Sequence, residues 1–235
     1  MNNPWFEYFR RGNKSKFHPQ DEAHVIAFNN ALIALKAENE DVERCKLRED
    51  LEPLPYFGNP NAPVLVLLAN PGAGGSGPER NVEFTDKKLE LHKKNLLHQQ
   101  ENILDYVAKF DSPDDNLLES PYFKKHTKEL VKATSVESVA TKIFFVNFHG
   151  YQSKSWHTVP FIFPTQHYSF FLVSEAVKRD ALIIMSRNML GWFTAVPELL
   201  EHKHRGEFDS PRGVYLTKGN LKKSVFDELL ERLRT

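Results

Sequence analysis

Val64-Leu65-Val66-Leu67-Leu68-Ala69 is an unbroken apolar run, with no polar residue alternating through it. A strand with one wet face alternates apolar and polar residues. A strand buried on both faces does not, and burial on both faces requires a sheet covered by helices on each side. The preceding stretch, Pro53-Leu54-Pro55-Tyr56-Phe57-Gly58-Asn59-Pro60-Asn61-Ala62-Pro63, is turn chemistry that breaks any helix before the run begins. Ile143–Phe148, Ala181–Met185 and Val214–Thr217 read similarly. Helical patterns lie between and around them: 21–37, 86–109, a helix opening at Ser120 with Pro121 at its first position, 165–178, 188–200 with Gly191 and Pro197 weakening its ends, and 221–233. Strands alternating with helices predict an α/β fold. The expectation is a three-layer sandwich around a central parallel sheet of about four strands, at 64–69, 143–148, 181–185 and 214–217.

The chain has 235 residues, enough for one compact domain with a sizeable core. Residues 1–52 read as an N-terminal arm and helix packing on the body, and 53–235 as the α/β domain proper. Lys and Arg number 31, as do Asp and Glu, so no global field draws the protein to a polyanion or a membrane surface. A local basic patch stays open. The single Cys45 excludes an internal disulfide framework and any four-cysteine metal cluster. No apolar run approaches the roughly 20 residues of a membrane helix. The opening Met1-Asn2-Asn3-Pro4-Trp5 shows no secretory leader. The expectation is a cytoplasmic protein with no membrane association.

In an open parallel sheet, ligands bind beyond the carboxyl ends of the strands. There the sequence places Asn70-Pro71-Gly72 with a glycine-rich continuation to Pro78, then Asn147-Phe148-His149-Gly150-Tyr151, Ser186-Arg187-Asn188 and Lys218-Gly219-Asn220. Asparagines and basic groups at one edge suit a polar planar ring or a phosphate backbone better than covalent catalysis. The glycine stretch is neither a P-loop nor a dinucleotide fingerprint, because both the Gly-Lys-Ser/Thr ending and the spacing are wrong. It reads either as backbone N–H groups approaching an anion or planar ligand, or as a flexible connection.

Gly58 through Gly72, and Asn70-Pro71-Gly72 above all, resemble the opening of the uracil-DNA glycosylase superfamily, in particular the Asn-Pro-Gly loop of its mismatch-specific branch. Ile143-Phe144-Phe145-Val146-Asn147 is similar to that family's second strand, and Ala181 to Asn188 to its third strand and turn. The likeness covers roughly residues 53–233. It implies a DNA glycosylase-like protein in which Asn70 positions the attacking water and Asn147 reads the base edge. One departure stands out. The family's last strand ends in a His-Pro-Ser or Asn-Pro-Ser loop, and the place matched to it reads Leu216-Thr217-Lys218-Gly219-Asn220. That departure favours the alternative, a base-, nucleotide- or nucleic-acid-binding protein that has lost excision chemistry. An unrelated flavodoxin-like phosphate binder is a third reading.

Each candidate residue also has a plainer reading. Asn70 can be a turn residue before Pro71, and Asn147 a capping residue after its strand. Asn70 and Asn147 are expected at the floor of one pocket, with Gly72 letting a ligand approach the backbone. Phe84 leads the candidates for a stacking face, ahead of Tyr122, Phe123 and Tyr151, although with 18 Phe in the chain most belong to the core. Lys218, Gly219, Asn220, Lys222 and Arg187 form the expected DNA-binding set. Lys223, Arg205 and Arg212 extend it into a basic strip, or else the strip is a solvated helix start. The ten histidines contain no metal-binding spacing, His202-x-His204 included, so neither a metal nor a cofactor is expected. Ser76 sits in no nucleophile elbow. The expected partner is nucleic acid, DNA by the resemblance, or a nucleobase or nucleotide; nothing in the sequence names a protein partner.

Overall fold

The apolar run forms β2 (Val64–Leu68), buried at all five positions. In the computed structural model, which describes residues 1–10, 15–35, 41–73, 86–100, 121–210 and 213–235, β2 is the central strand of a five-stranded sheet. Ahead of it come α1 (Trp5–Arg10), α2 (Glu22–Leu35), α3 (Asp41–Cys45) and the short β1 (Tyr56–Phe57). After it come α4 (Asp86–Leu96), α5 (Pro121–Ala133), α6 (Val136–Lys142), β3 (Ile143–Asn147), α7 (Gln166–Lys178), β4 (Leu182–Met185), α8 (Met189–Ala195), a 3₁₀ turn (Pro197–Leu200), β5 (Arg205–Glu207) and α9 (Lys223–Arg234). Of the helix expected over 86–109, the part beyond residue 100 lies outside the described residues.

The sheet order is β1-β3-β2-β4-β5. β3, β2, β4 and β5 are parallel, and β1 runs antiparallel along the outer edge of β3. The sheet is therefore mixed rather than wholly parallel. Side chains alternate across it, as strand geometry requires. Leu65, Leu67, Phe144, Val146, Ile183 and Met185 share one face with Phe170, Val173 and Ala176 of α7 and Trp192 of α8. Val64, Val66, Ile143, Phe145, Leu182 and Ile184 share the other with Leu130 of α5, Val139 of α6, and Val225, Phe226 and Leu229 of α9. Helices on both faces explain why these strands lack polar alternation. Each fully buried side chain of this size stabilises the fold by about 1.5–3 kcal/mol.

The fourth parallel strand is Arg205–Glu207, not 214–217. β5 is short and at the edge, so its sequence is not apolar. Its middle residue, Gly206, lets α9 pack directly against it: a Cβ there would meet Val225 Cγ1 at 2.4 Å. Val214–Thr217 is an irregular segment lying on α5. The backbone N–H of Leu216 donates to the His126 carbonyl at 2.9 Å, His126 Nδ1 meets the Val214 carbonyl at 2.8 Å, and the Tyr215 ring stacks on His126. The apolar run reflects the burial of Leu216, not a strand.

The N-terminal residues are built into the body. Trp5 and Tyr8 are buried within the first core face. Tyr8 donates to the buried Glu52 carboxylate at 2.7 Å, and Lys16 pairs with the same carboxylate. Phe17, Val25, Phe28, Leu32, Val42 and Leu47 close over Tyr151 and Phe163. At their centre, fully buried Asp21 accepts from the Tyr151 hydroxyl at 2.6 Å, from the Thr165 backbone N–H at 3.0 Å and from the Thr165 hydroxyl. Asp21→Ala would leave these buried donors unsatisfied. We expect it to cost about 2–4 kcal/mol, since each orphaned buried group costs about 1–3 kcal/mol. A denaturation midpoint shifted down at unchanged slope would show this; an unchanged midpoint would contradict it.

Candidate functional site

In chain order the four parallel strands run second, first, third, fourth across the sheet, as in flavodoxin-like doubly wound folds. The chain leaves β2 for β3 on one side and returns to β4 on the other. The crevice created by this reversal lies beyond the carboxyl ends of β2 and β4. Asn70 and Ser186-Arg187-Asn188 follow those ends directly. Asn147 closes β3, in register with Leu68, two residues before Asn70.

Asn70 is half-buried. Its Nδ2 donates to Ser153 Oγ at 2.8 Å and to the Pro71 carbonyl at 3.2 Å. Ser153 Oγ gives its own proton to the Ser155 carbonyl at 2.8 Å, so toward Asn70 it can only accept. This fixes which end of the carboxamide is nitrogen. Both amide protons are engaged, and Oδ1 takes no hydrogen bond from any described residue. The surrounding loop is tied to the segment after β3 by the Gly72–Ser153 bridge and by Ala73 N–H donating to the Ser153 carbonyl at 3.0 Å. Gly72 has open space where a Cβ would stand, so packing does not demand glycine there.

Asn147 is 1% exposed. Its Nδ2 donates to the Leu54 carbonyl at 2.8 Å, while its Oδ1 is buried with no partner. A buried, unmatched acceptor is costly and rare. Ser153 and Leu54, which orient the two asparagines, carried no signal in the sequence beyond their nearness to the strands. Beside them, His149 is buried, its ring stacked on Trp156 with centroids 5.4 Å apart and its Nδ1 unpartnered. Burial pushes its pKa down to about 3, against a slight opposing pull from the Tyr151 carbonyl, so the ring is neutral.

On the β4 side, Ser186 donates both its backbone N–H and its hydroxyl to the Leu67 carbonyl. Arg187 is half-buried at the crevice. Asn188 adopts a left-handed conformation (φ 59°) that turns the chain into α8. The fully buried Trp192 anchors α8 to the strand that leads to Asn70, its Nε1 donating to the Leu68 carbonyl at 3.3 Å.

The remaining expected residues divide. Lys218, Gly219 and Lys222 are exposed on the turn ahead of α9, which the Phe208–Leu221 bridge holds beside the carboxyl end of β5. Asn220, expected among the DNA contacts, is buried. Its Oδ1 accepts from Ser210 N–H at 2.8 Å and its Nδ2 donates to the Gly213 and Tyr215 carbonyls, so the side chain holds its own loop together. Arg205 does not join a basic strip at this edge. It opens β5 at the opposite end, donates to the Leu199 and Leu200 carbonyls and lies over the Phe193 ring. Lys223 pairs with Asp227. Phe84, Ser76 and Arg212 lie outside the described residues, as do the side chains of Tyr122 and Phe123. Tyr151 is a core residue bonded to Asp21, not a stacking face.

Two of the hollows among the described residues lie away from Asn70 and Asn147. One, of about 910 Å³, lies between α1, Lys93, Leu97, His167 and Tyr168. The other, of about 770 Å³, lies at the amino ends of β4 and β5 near Asp180, His202 and His204. There His202 Nε2 meets the Ala181 carbonyl, and His204 sits between Asp180 and Glu228. No group of three or more His, Cys, Asp or Glu among the described residues is arranged to hold a metal ion. Among those residues no helix is long and apolar enough to cross a membrane. Compared with protein-family models, with curated proteins and with solved structures, the chain matches none.

Proposed function

We propose that the carboxyl edge of the sheet receives a base displaced from nucleic acid, and that Asn70 aligns a water for hydrolysis of its N-glycosidic bond. The observation that carries this reading is the fixed carboxamide of Asn70. Ser153 and Pro71 take its amide protons, and Oδ1 is left as a pre-oriented acceptor beyond the central strand. The unmatched Oδ1 of Asn147 on the adjacent strand supports it, as an acceptor set to receive an N–H from a base edge. The water oxygen bonds to the sugar carbon, the bond to the base nitrogen breaks, and its electron pair leaves with the base. The water's surplus proton passes to solvent, and the base is protonated from solvent. Asn70 has no charge to supply, so its contribution is orientation and a dipole aimed at the developing positive charge. The reading accords with the resemblance to uracil-DNA glycosylases in Asn70-Pro71-Gly72.

Binding without excision is the second reading. The departure at the last strand favours it. With β5 at 205–207, the loop that follows reads Phe208-Asp209-Ser210-Pro211, and no His-Pro-Ser or Asn-Pro-Ser stands there either.

Single- and double-stranded oligonucleotides carrying uracil, mismatched thymine or damaged bases test both readings, scored for abasic sites and for binding. Excision of at least one base supports the first, and binding alone the second. Binding should weaken as salt rises, because phosphate contacts at Lys218 and Lys222 release counterions. Lys218→Ala should weaken it for all sequences alike. Absence of both excision and binding at low salt would refute the proposal.

A further inference from the structure

The hollow of about 910 Å³ beside α1 has the size of a small-molecule site and lies apart from Asn70 and Asn147. Its wall holds a polar group that the fold leaves without a partner. Tyr168 lines the hollow and is only 7% exposed. Its ring packs near Tyr56, His98 and Phe171. Its hydroxyl makes no hydrogen bond with any described residue, and the oxygen is not sealed into the core. A phenol on so deeply buried a ring normally finds a partner. Burial raises its pKa above the ordinary phenol value, so at neutral pH it keeps its proton and can donate it.

The surroundings select what it would donate to. Tyr168 stands in the first turn of the 13-residue α7. Thr165 at the N-cap gives its hydroxyl to Asp21 and caps none of the helix amides. The positive end of α7 therefore lies at the hollow, which Pro164, His167 and Tyr168 all line. Arg10 and Lys93 line it as well, in no ion pair among the described residues. Glu7 is the one acidic side chain of the lining, and Gln20 Nε2 donates to it at 3.2 Å. Two cations against one acid leave a single positive charge to be matched. The rest of the wall is apolar. Phe9 and Leu97 contribute to it, and Phe6 stays 53% exposed there.

We propose that this hollow is a second ligand site, one that takes a monocarboxylate carried on a flat apolar body. The carboxylate accepts the Tyr168 proton at the amino end of α7, Arg10 and Lys93 supply the opposite charge, and the body lies against Phe6 and Phe9. A free aryl acid and the carboxyl end of a chain that closes on an aromatic residue share this chemistry. The inference does not rest on the reading of Asn70.

Calorimetric titration tests it with 2-naphthoate, with the neutral 2-naphthylmethanol, and with a Gly-Gly-Phe peptide whose terminus is free or amidated. We expect saturable binding of at least one free carboxylate, about tenfold tighter than its neutral counterpart. Binding of naphthoate alone assigns the site to a free acid; binding of the free but not the amidated peptide assigns it to a chain end. Tyr168→Phe should weaken the carboxylate by about tenfold, the scale of a hydrogen bond to a charged group. Arg10→Gln, on an exposed side chain, should weaken it severalfold, by less as salt rises. Neither should move the affinity of the neutral compound, and Asn70→Ala should change nothing. Failure of both carboxylates to bind overturns the proposal. So does equal affinity for the charged and neutral forms, or equal carboxylate affinity in wild type, Tyr168→Phe and Arg10→Gln. Amide shifts on addition of naphthoate that fall at Asn70 and Asn147 instead of at Lys93 and His167 also overturn it.

Discussion

Asn70→Ala should slow excision by about a hundredfold or more, the loss seen when one well-placed polar group is removed from the reacting centre. Alanine keeps the turn but deletes Oδ1, which takes no hydrogen bond from any described residue. Stability should fall by no more than about 1 kcal/mol, because the side chain is half-buried and gives up two ordinary hydrogen bonds. Ser153→Ala offers a graded control. It leaves Asn70 in place but removes the acceptor that fixes its orientation, so the carboxamide can rotate and the rate should fall by a smaller factor. Single-turnover rates with substrate-saturated enzyme measure both. Should Asn70→Ala excise at the wild-type rate, the water is held elsewhere. If the protein binds without excising, the same substitution should weaken affinity for the base-bearing strand instead.

Acid should destabilise the fold steeply, well above the range in which carboxylates titrate. His92 and His149 are buried and His98 is half-buried. Burial lowers His92 to about 4, partly offset by the Glu52 carboxylate, and lowers His98 to about 4 and His149 to about 3. In the unfolded chain each imidazole takes up a proton near pH 6.5. Between about pH 6.5 and 4 the unfolded state therefore binds protons that the folded state refuses, and stability falls as pH falls. The loss is about 1.4 kcal/mol per pH unit for each fully buried histidine, less for His98. Stability from these groups is complete above pH 6.5. Urea unfolding at pH 7.5 and 5.0 should show a drop of several kcal/mol, somewhat more than a third of it removed by His149→Phe if the ring stack on Trp156 is kept. Equal stability at the two pH values would mean that solvent reaches these rings in the folded state.

The central fold was legible because burial on both faces leaves a direct trace. β2 and β4 are apolar end to end and β3 is apolar up to its closing Asn147, and their helices carry the complementary stripes. The last strand was not legible, because β5 lies at the edge and reads Arg205-Gly206-Glu207; its defining constraint, the contact of Gly206 with Val225, joins residues far apart in sequence. The buried stretch at Leu216 imitated a strand because burial, not backbone pairing, makes a run apolar. Of the site, the positions of Asn70 and Asn147 could be read from the ends of strands. Their orientation could not, since it is set by a serine hydroxyl and a leucine carbonyl whose nearness only the folded chain creates. Asn220 looked like a contact residue because an asparagine that staples a loop and one that faces a ligand have the same sequence signature.

The central claim is that a base seats beyond β2 and β3, against Asn70 and Asn147. The most direct measurement is a titration of isotopically labelled protein with a uracil-bearing oligonucleotide, following backbone and side-chain amide resonances. The account predicts the largest shifts at the Asn70 and Asn147 carboxamides and at Gly72, with smaller ones at Arg187 and Lys218. Shifts confined to the hollow beside α1, at Arg10, Lys93 and His167, or to the one at His202 and His204, with Asn70 and Asn147 unmoved, would contradict it.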